Sequence, residues 1–382
     1  MKRVFCMLLA AALCLTGTAM AVEVDTRTKL DVKAGAAILM EKETGTILYE
    51  ENSHTKLEPA SVTKVMTLLL VMEAIDTGRL KKDDVVTVSA TAAGMGGSQT
   101  YMKENEQFSV DEMLKCVCVV SANDACVALA EHLYGSEAAF VDKMNQRAAE
   151  LNMADTVFKN CTGLPAEGHV TSAHDIAVMS RELILHHPDI RTYTTIWMDT
   201  IRNGTFQLAN TNKLIRYYEG ATGLKTGSTD AALYCLSATA ERDGMELIAV
   251  VMKSPTSGDR FEAAKALLNY GFSNYAMTQV QPGQALPPVQ VLLGEKEWVQ
   301  PTADGGGRIL VRKEDQGKIT TQLSLPETVE APVESGQKLG EVIVLVDGAE
   351  ECRIPLIASE PVPRLTFGGI FSRMLSMLFL AG

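Results

Sequence analysis

The sequence predicts an α+β domain over residues 24–275 followed by a small all-β domain over 281–360. Three observations carry this. Hairpin patterns occur at two distant points of the first region, helical periodicity fills the interval between them, and the texture changes to short alternating strands after Gln281. Strands at both ends of a helical region must share one sheet, which makes the class α+β. With 382 residues and 46% hydrophobic content, the chain can bury one large core and a smaller one.

The first hairpin runs from Ala36 to Glu50, where Ala-Ile-Leu-Met and Thr-Ile-Leu-Tyr flank a turn at Lys42-Glu43-Thr44-Gly45. The second joins Ala232–Ala240 to Glu246–Met252 through Asp243-Gly244, a strong tight-turn signal. Apolar periodicity predicts helices over 62–77, 110–119, 124–133, 137–151 and 173–185, and another over 262–270 ending at Gly271. Beyond 281, the stretches 289–293, 308–312, 318–323 and 341–346 alternate as strands between Gly and Pro breaks. Residues 361–382 place Thr366, Gly369, Ser372, Arg373 and Ser376 opposite Phe367, Ile370, Phe371, Met374, Leu375 and Leu378. One polar stripe against one apolar face predicts a helix lying in a membrane interface.

Residues 1–21 read as a secretory signal: Lys2 and Arg3 precede the apolar run Val4–Leu15, and Ala19-Met20-Ala21 supplies a small-residue cleavage site. That run is short of the roughly 20 residues a spanning helix needs. Removing the signal takes two of the 35 basic residues and none of the 47 acidic ones, leaving a net charge of −14. Nucleic acid is therefore not an expected partner. An exported chain could pair its six remaining cysteines, but most sit in apolar runs such as Leu114-Lys115-Cys116-Val117-Cys118-Val119-Val120, where cysteine acts as a small buried hydrophobe. No CxxC pair has zinc spacing, and no metal or cofactor is expected.

Ser-x-x-Lys occurs three times, at Ser53–Lys56, Ser61–Lys64 and Ser335–Lys338. The first runs into Pro59 and the third lies among Gly336, Gly340 and predicted strands; only the second opens a long helix. One helical turn puts Ser61 and Lys64 within reach of each other. A serine hydroxyl needs a base to become a nucleophile, and burial or a nearby cation such as Lys225 would lower the lysine pKa enough to supply one. A plain helix-cap serine followed by a surface lysine is the commoner meaning of such a tetrad. Two further patterns change the balance. Ser121-Ala122-Asn123 falls between two helical runs, and Lys225-Thr226-Gly227 leads into the strand ending at Ala240.

Ser-Val-Thr-Lys, Ser-Ala-Asn and Lys-Thr-Gly, in that order, resemble the three active-site motifs of penicillin-binding proteins and serine β-lactamases. Glu58-Pro-Ala-Ser-Val-Thr-Lys, Asn160-Cys-Thr-Gly-Leu-Pro, Thr171-Ser-Ala-His-Asp and Leu224-Lys-Thr-Gly are similar to the low-molecular-mass D-alanyl-D-alanine carboxypeptidases of bacterial cell walls. The resemblance implies an antiparallel sheet flanked by helices, a C-terminal β domain and a terminal membrane-associating helix. It implies Ser61 as acylated nucleophile, Lys64 as its base and Ser121 as proton relay. Asn123 would hold the substrate amide, Lys225, Thr226 and Gly227 would bind the terminal carboxylate, and Ser228 would lend its backbone N–H to the oxyanion hole. The implied partners are peptidoglycan stem peptides ending in D-Ala-D-Ala, β-lactam antibiotics and the outer face of the cell membrane.

Two rival readings stay open on the motifs: a β-lactamase, although Ala122 stands where class A enzymes carry aspartate, and a silent wall-binding scaffold. A metal-dependent or His-triad hydrolase finds no HExxH or Gly-x-Ser-x-Gly. His169 and His174 are expected to be structural, and His54, His132, His186 and His187 to cap or face solvent.

Overall fold

The computed structural model of the protein describes residues 30–280 and 285–371. The expected signal at 1–21 and residues 372–382 of the expected terminal helix lie outside the described residues. The chain divides into two units, one of residues 22–278 with 308–316 and one formed by the other segments.

The first unit is organised by a five-stranded antiparallel sheet of order β2-β1-β9-β8-β7. Its strands are β1 (Ala36–Glu41), β2 (Ile47–Glu51), β7 (Ala221–Thr229), β8 (Leu233–Arg242) and β9 (Met245–Ser254). Both predicted hairpins are present. Asp243 and Gly244 have φ of 50° and 72° and join β8 to β9 with Arg242 opposite Met245, the two-residue turn that matches strand twist. Two short hairpins, β3 (Val85–Thr87) with β4 (Gln107–Ser109) and β5 (Met198–Ile201) with β6 (Phe206–Ala209), lie outside this sheet.

Successive side chains of a strand point to opposite faces, and the two faces of this sheet bury two cores. Ile38, Met40, Ile248, Val250 and Met252 pack with the helical layer on one side. Leu39, Leu247, Ala249 and Val251 pack with Phe261, Leu267 and Leu268 on the other. Burial on both faces is why β1 and β9 read as nearly unbroken apolar runs. The helices are α1 (Lys64–Asp76), α2 (Ala90–Ala93), α3 (Val110–Val120), α4 (Asn123–Tyr134), α5 (Glu137–Glu150), α6 (Ala173–His186), α7 (Arg191–Thr194), α8 (Leu214–Tyr217) and α9 (Ser257–Asn274). Ser109 caps α3 through a reciprocal box with Glu112, and Ser136 and Ser172 cap α5 and α6.

One sequence expectation is corrected. α9 runs through Gly271 to Asn274. Gly271 is a packing residue rather than a stop: a Cβ there would lie 2.5 Å from Leu247 Cδ1 and 3.0 Å from Leu39 Cδ2. Within the stretch expected as the β domain, β14 (Arg308–Arg312) pairs with β10 (Tyr275–Gln279), and Leu310 joins the second core. His187 takes the capping alternative: it is the C-cap of α6, buried, with Nδ1 2.5 Å from Asp76 Oδ2, linking the end of α6 to the end of α1.

The second unit is all β. β12 (Trp298–Val299), β11 (Val289–Leu292) and β16 (Thr328–Glu330) form one sheet. β13 (Pro301–Ala303), β18 (Ala349–Ala358), β17 (Lys338–Val346) and β15 (Ile319–Ser324) form the other. Val289, Val291, Val299, Val333, Leu339 and Val362 make its core. Residues 367–371 are helical, with Phe367, Ile370 and Phe371 exposed. Among the described residues no helix is long and apolar enough to cross a membrane.

Candidate active site

Ser61 lies on a single 3-10 turn, Ala60–Thr63, that feeds directly into α1. Ala60 holds φ at +47°, a left-handed conformation that costs an L-residue about 1–2 kcal/mol and persists only where neighbours enforce it. Two glycines press on the turn. A Cβ at Gly163 would fall 1.8 Å from the Ala60 carbonyl oxygen, and a Cβ at Gly227 would fall 2.9 Å from Pro59 O, Ser61 N and Val62 N. The glycine of Lys-Thr-Gly thus lets β7 lie against the backbone of the turn bearing Ser61. Gly227→Ala is expected to slow penicillin acylation at least tenfold while the thermal transition drops only a few degrees, read by labelling kinetics beside calorimetry.

Lys64 is fully buried one turn along. Its Nζ is 3.0 Å from Ser61 Oγ and donates to the Thr162 carbonyl at 2.7 Å. Burial pushes this amine down to about 8, against a smaller opposing pull from Cys126, Cys161 and Asp124. Ser121 caps α3 in the left-handed conformation, φ 63° and ψ 33°, and Asn123 opens α4 two residues later. Asn123 Nδ2 donates to Gly96 O at 2.7 Å. Ser121 Oγ and Asn123 Oδ1 are buried without a protein partner. Oxygens so placed normally carry a hydrogen bond, which suits groups meant to meet a ligand.

Lys225, Thr226 and Gly227 lie within β7, the edge strand, opposite Ser237, Leu236 and Cys235 of β8. Here the sequence reading is corrected: the motif does not lead into the strand ending at Ala240 but occupies a separate strand antiparallel to it. Lys225 is fully buried, and its Nζ donates to Thr226 O at 2.9 Å. Thr226 Oγ1 is 2.7 Å from Thr211 Oγ1, and Ser228 is exposed. Burial, then the charge of Lys64, drives the Lys225 amine well below the usual lysine range. The two buried amines repel each other, which together with burial disfavours both being charged at once. All three motifs converge on one site: β7 packs against the turn bearing Ser61, and α4 packs against α1.

Residues 21–256 match the D-alanyl-D-alanine carboxypeptidase family of S11 peptidases, and residues 276–364 match the C-terminal domain of penicillin-binding protein 5. The chain belongs to the D-alanyl-D-alanine carboxypeptidase family. It is 40% identical to the carboxypeptidase DacF of Bacillus subtilis over 375 residues, 96% of either chain. It is 33% identical to DacD of Escherichia coli across 90% of both. Penicillin-binding protein 5 of Haemophilus influenzae superposes with a TM-score of 0.76 at 30% identity, covering 88% of this chain and 99% of that one. Penicillin-binding protein D2 of Listeria monocytogenes, in an ampicillin-bound form, superposes with a TM-score of 0.59 at 33% identity over 64% of this chain and all of that one.

The candidate site includes groups to which the sequence motifs assigned no role. Asn160 organises the loop that holds the Thr162 carbonyl: its Oδ1 accepts from Thr162 N (3.2 Å), Thr162 Oγ1 (3.1 Å) and Gly163 N (2.7 Å), and its Nδ2 donates to Leu164 O (2.8 Å). Asn160→Ala is expected to cost about 2 kcal/mol of stability through these lost bonds and to slow acylation through misplacement of Lys64, measured by denaturation and labelling rate. Arg260 donates to the carbonyls of Gly227 (3.1 Å) and Cys235 (3.4 Å), tying β7 to β8 beside the site. His169 is structural, as the sequence indicated. Lys159 N donates to its Nδ1, so Nε2 bears the proton and donates to Thr63 Oγ1 at 2.8 Å. Burial and the charge of Lys159 hold this ring neutral, down to about 4. Among the described residues no group of His, Cys, Asp and Glu is arranged to hold a metal ion.

Proposed function

We propose that this carboxypeptidase removes the terminal D-alanine from peptidoglycan stem pentapeptides through an acyl-enzyme on Ser61. The observation that carries the reading is the buried Lys64 amine 3.0 Å from Ser61 Oγ, with its pKa pushed down to about 8. A neutral amine takes the hydroxyl proton as Ser61 Oγ attacks the penultimate D-alanine carbonyl. The Ser61 and Ser228 backbone N–H groups stabilise the oxyanion, a contribution of roughly 2.7–4 kcal/mol per donor. Ser121 passes the proton to the departing D-alanine nitrogen, and water then hydrolyses the ester. Asn123 holds the substrate amide, and Lys225, Thr226 and Gly227 receive the terminal carboxylate. An anion arriving at Lys225 opposes both burial and the repulsion from Lys64, so substrate binding favours the charged form of that amine.

β-Lactams acylate the same serine. The chain acts as an exported enzyme, with residues 1–21 as signal, 24–275 catalytic, 281–360 a β domain, and 361–382 a helix attaching it to the outer face of the membrane. D-Alanine release from a pentapeptide, measured beside penicillin turnover, tests the reading. Release with slow penicillin turnover supports it; rapid antibiotic hydrolysis without peptide trimming makes the protein a β-lactamase. The acylation rate is expected to climb about tenfold per pH unit below about 8 and level off above it, since only the deprotonated Lys64 acts as base. A profile flat from pH 6 to 9 would remove Lys64 from that role.

A further inference from the structure

Beneath Lys64 lie two sulfurs that the reaction does not use. Cys126, in the first turns of α4, and Cys161, in the loop carrying Thr162, are both buried, with Sγ atoms 3.8 Å apart. Six cysteines occur among the described residues, and only this pair brings two sulfurs into contact. Cys126 Sγ donates to Cys161 O at 3.1 Å, and Thr67 Oγ1 of α1 donates to the same carbonyl at 2.7 Å. Glu137 Oε1 accepts from Cys161 N at 3.1 Å and lies 3.2 Å from Cys161 Sγ.

We propose that Cys126 and Cys161 are a closable dithiol, and that its oxidation to a disulfide slows acylation of Ser61 by displacing the Thr162 carbonyl that holds Lys64. The inference rests on the reading of Ser61 and Lys64 given above. A disulfide sets its sulfurs about 2.05 Å apart, so closure must draw them together by about 1.8 Å. Cys161 is bonded to Thr162, whose carbonyl accepts from Lys64 Nζ, and then to Gly163, which has no clearance over the Ala60 carbonyl. The loop cannot follow Cys161 without carrying along the acceptor that aims the base. It also presses on the turn that bears the nucleophile. A misplacement of about 1 Å in catalytic geometry can cost on the order of 100-fold in rate.

The oxidant is a low-molecular-mass disulfide such as oxidised glutathione. One cysteine thiolate attacks it and releases one thiol; the other cysteine then attacks the mixed disulfide and releases the second. Two electrons pass from the protein sulfurs to the reagent, and both thiol protons leave on the two product thiols, Glu137 being placed to carry that of Cys161. Because neither sulfur is exposed, exchange proceeds during folding or local opening.

The test compares the full-length enzyme refolded in dithiothreitol with the same enzyme refolded in a glutathione redox buffer, and with folded enzyme incubated in oxidised glutathione. Unreduced peptide mapping locates any disulfide, and fluorescent-penicillin labelling gives the acylation rate. We expect a Cys126–Cys161 linkage, a labelling rate lower by tenfold or more, and recovery on reduction. Cys126→Ala should lose the oxidant sensitivity, and Cys116→Ala should keep it. A mapped linkage with an unchanged rate overturns the proposal, as does failure of the linkage to form under both oxidising protocols. Should the reduced wild-type protein not label at Ser61, the functional reading fails instead, and the mapping still reports on the pair.

Discussion

Ser61→Ala releases D-alanine from a pentapeptide at no more than about one part in 10⁵ of the wild-type rate and takes up no labelled penicillin, while its thermal transition stays near that of the parent. Removing the nucleophile of a serine peptidase costs on the order of 10⁶ in kcat, because no other group forms the covalent intermediate. Stability should move little, since Ser61 is half-buried and its side chain contributes no cap to the turn it stands on. Chromogenic D-alanine assays and gel labelling check the two halves separately. Residual labelling of Ser61→Ala would assign the adduct to another serine.

Lys64→Met is expected to lower the acylation rate by about 10²–10⁴, the range for loss of a positioned general base. Methionine retains the volume and removes the buried amine, so the cost of leaving an ammonium without water disappears as well. The variant should therefore fold at least as stably as the parent, an outcome that separates a base from a structural cation. It should also lose the pH dependence near 8 that Lys64 imparts. Ser61 and Lys64 act as one unit, so the double variant is expected to be no slower than Ser61→Ala alone. Additive losses in kcat would contradict that coupling.

How much of this site was legible in the sequence depended on how each residue acts. Ser61 and Lys64 were legible because their interaction is local: three residues apart at the head of an apolar helix, they must meet. The structure altered only the first turn, which is 3-10 and starts from the left-handed Ala60. Ser121 and Asn123 were legible because two helical runs stop at Val120 and resume at Asn123, leaving the motif at a junction. β7 was not. Its sequence, Ala-Thr-Gly-Leu-Lys-Thr-Gly-Ser-Thr, lacks the apolar alternation of its neighbours, since an edge strand beside the turn bearing Ser61 spends its positions on a cation, hydroxyls and close backbone approach.

The roles of Asn160 and Thr162 were out of reach for another reason. A backbone carbonyl that accepts from Lys64 Nζ leaves no mark on residue type, and the amide that braces it resembles any loop asparagine. Pattern also says that a stretch is a strand without naming its partner. Residues 308–312 alternate as a strand should, but their pairing with β10 depends on contacts distant in sequence. Gly271 failed the other way: a local rule that glycine ends helices gave way to tertiary packing against Leu247 and Leu39.

Digestion of the penicillin-treated protein followed by mass spectrometry puts the account at greatest risk. Covalent mass on the peptide containing Ser61, absent from Lys64→Met over the same exposure, is the predicted outcome. An adduct on Ser53, Ser121 or Ser335, or none on well-folded protein, would contradict it.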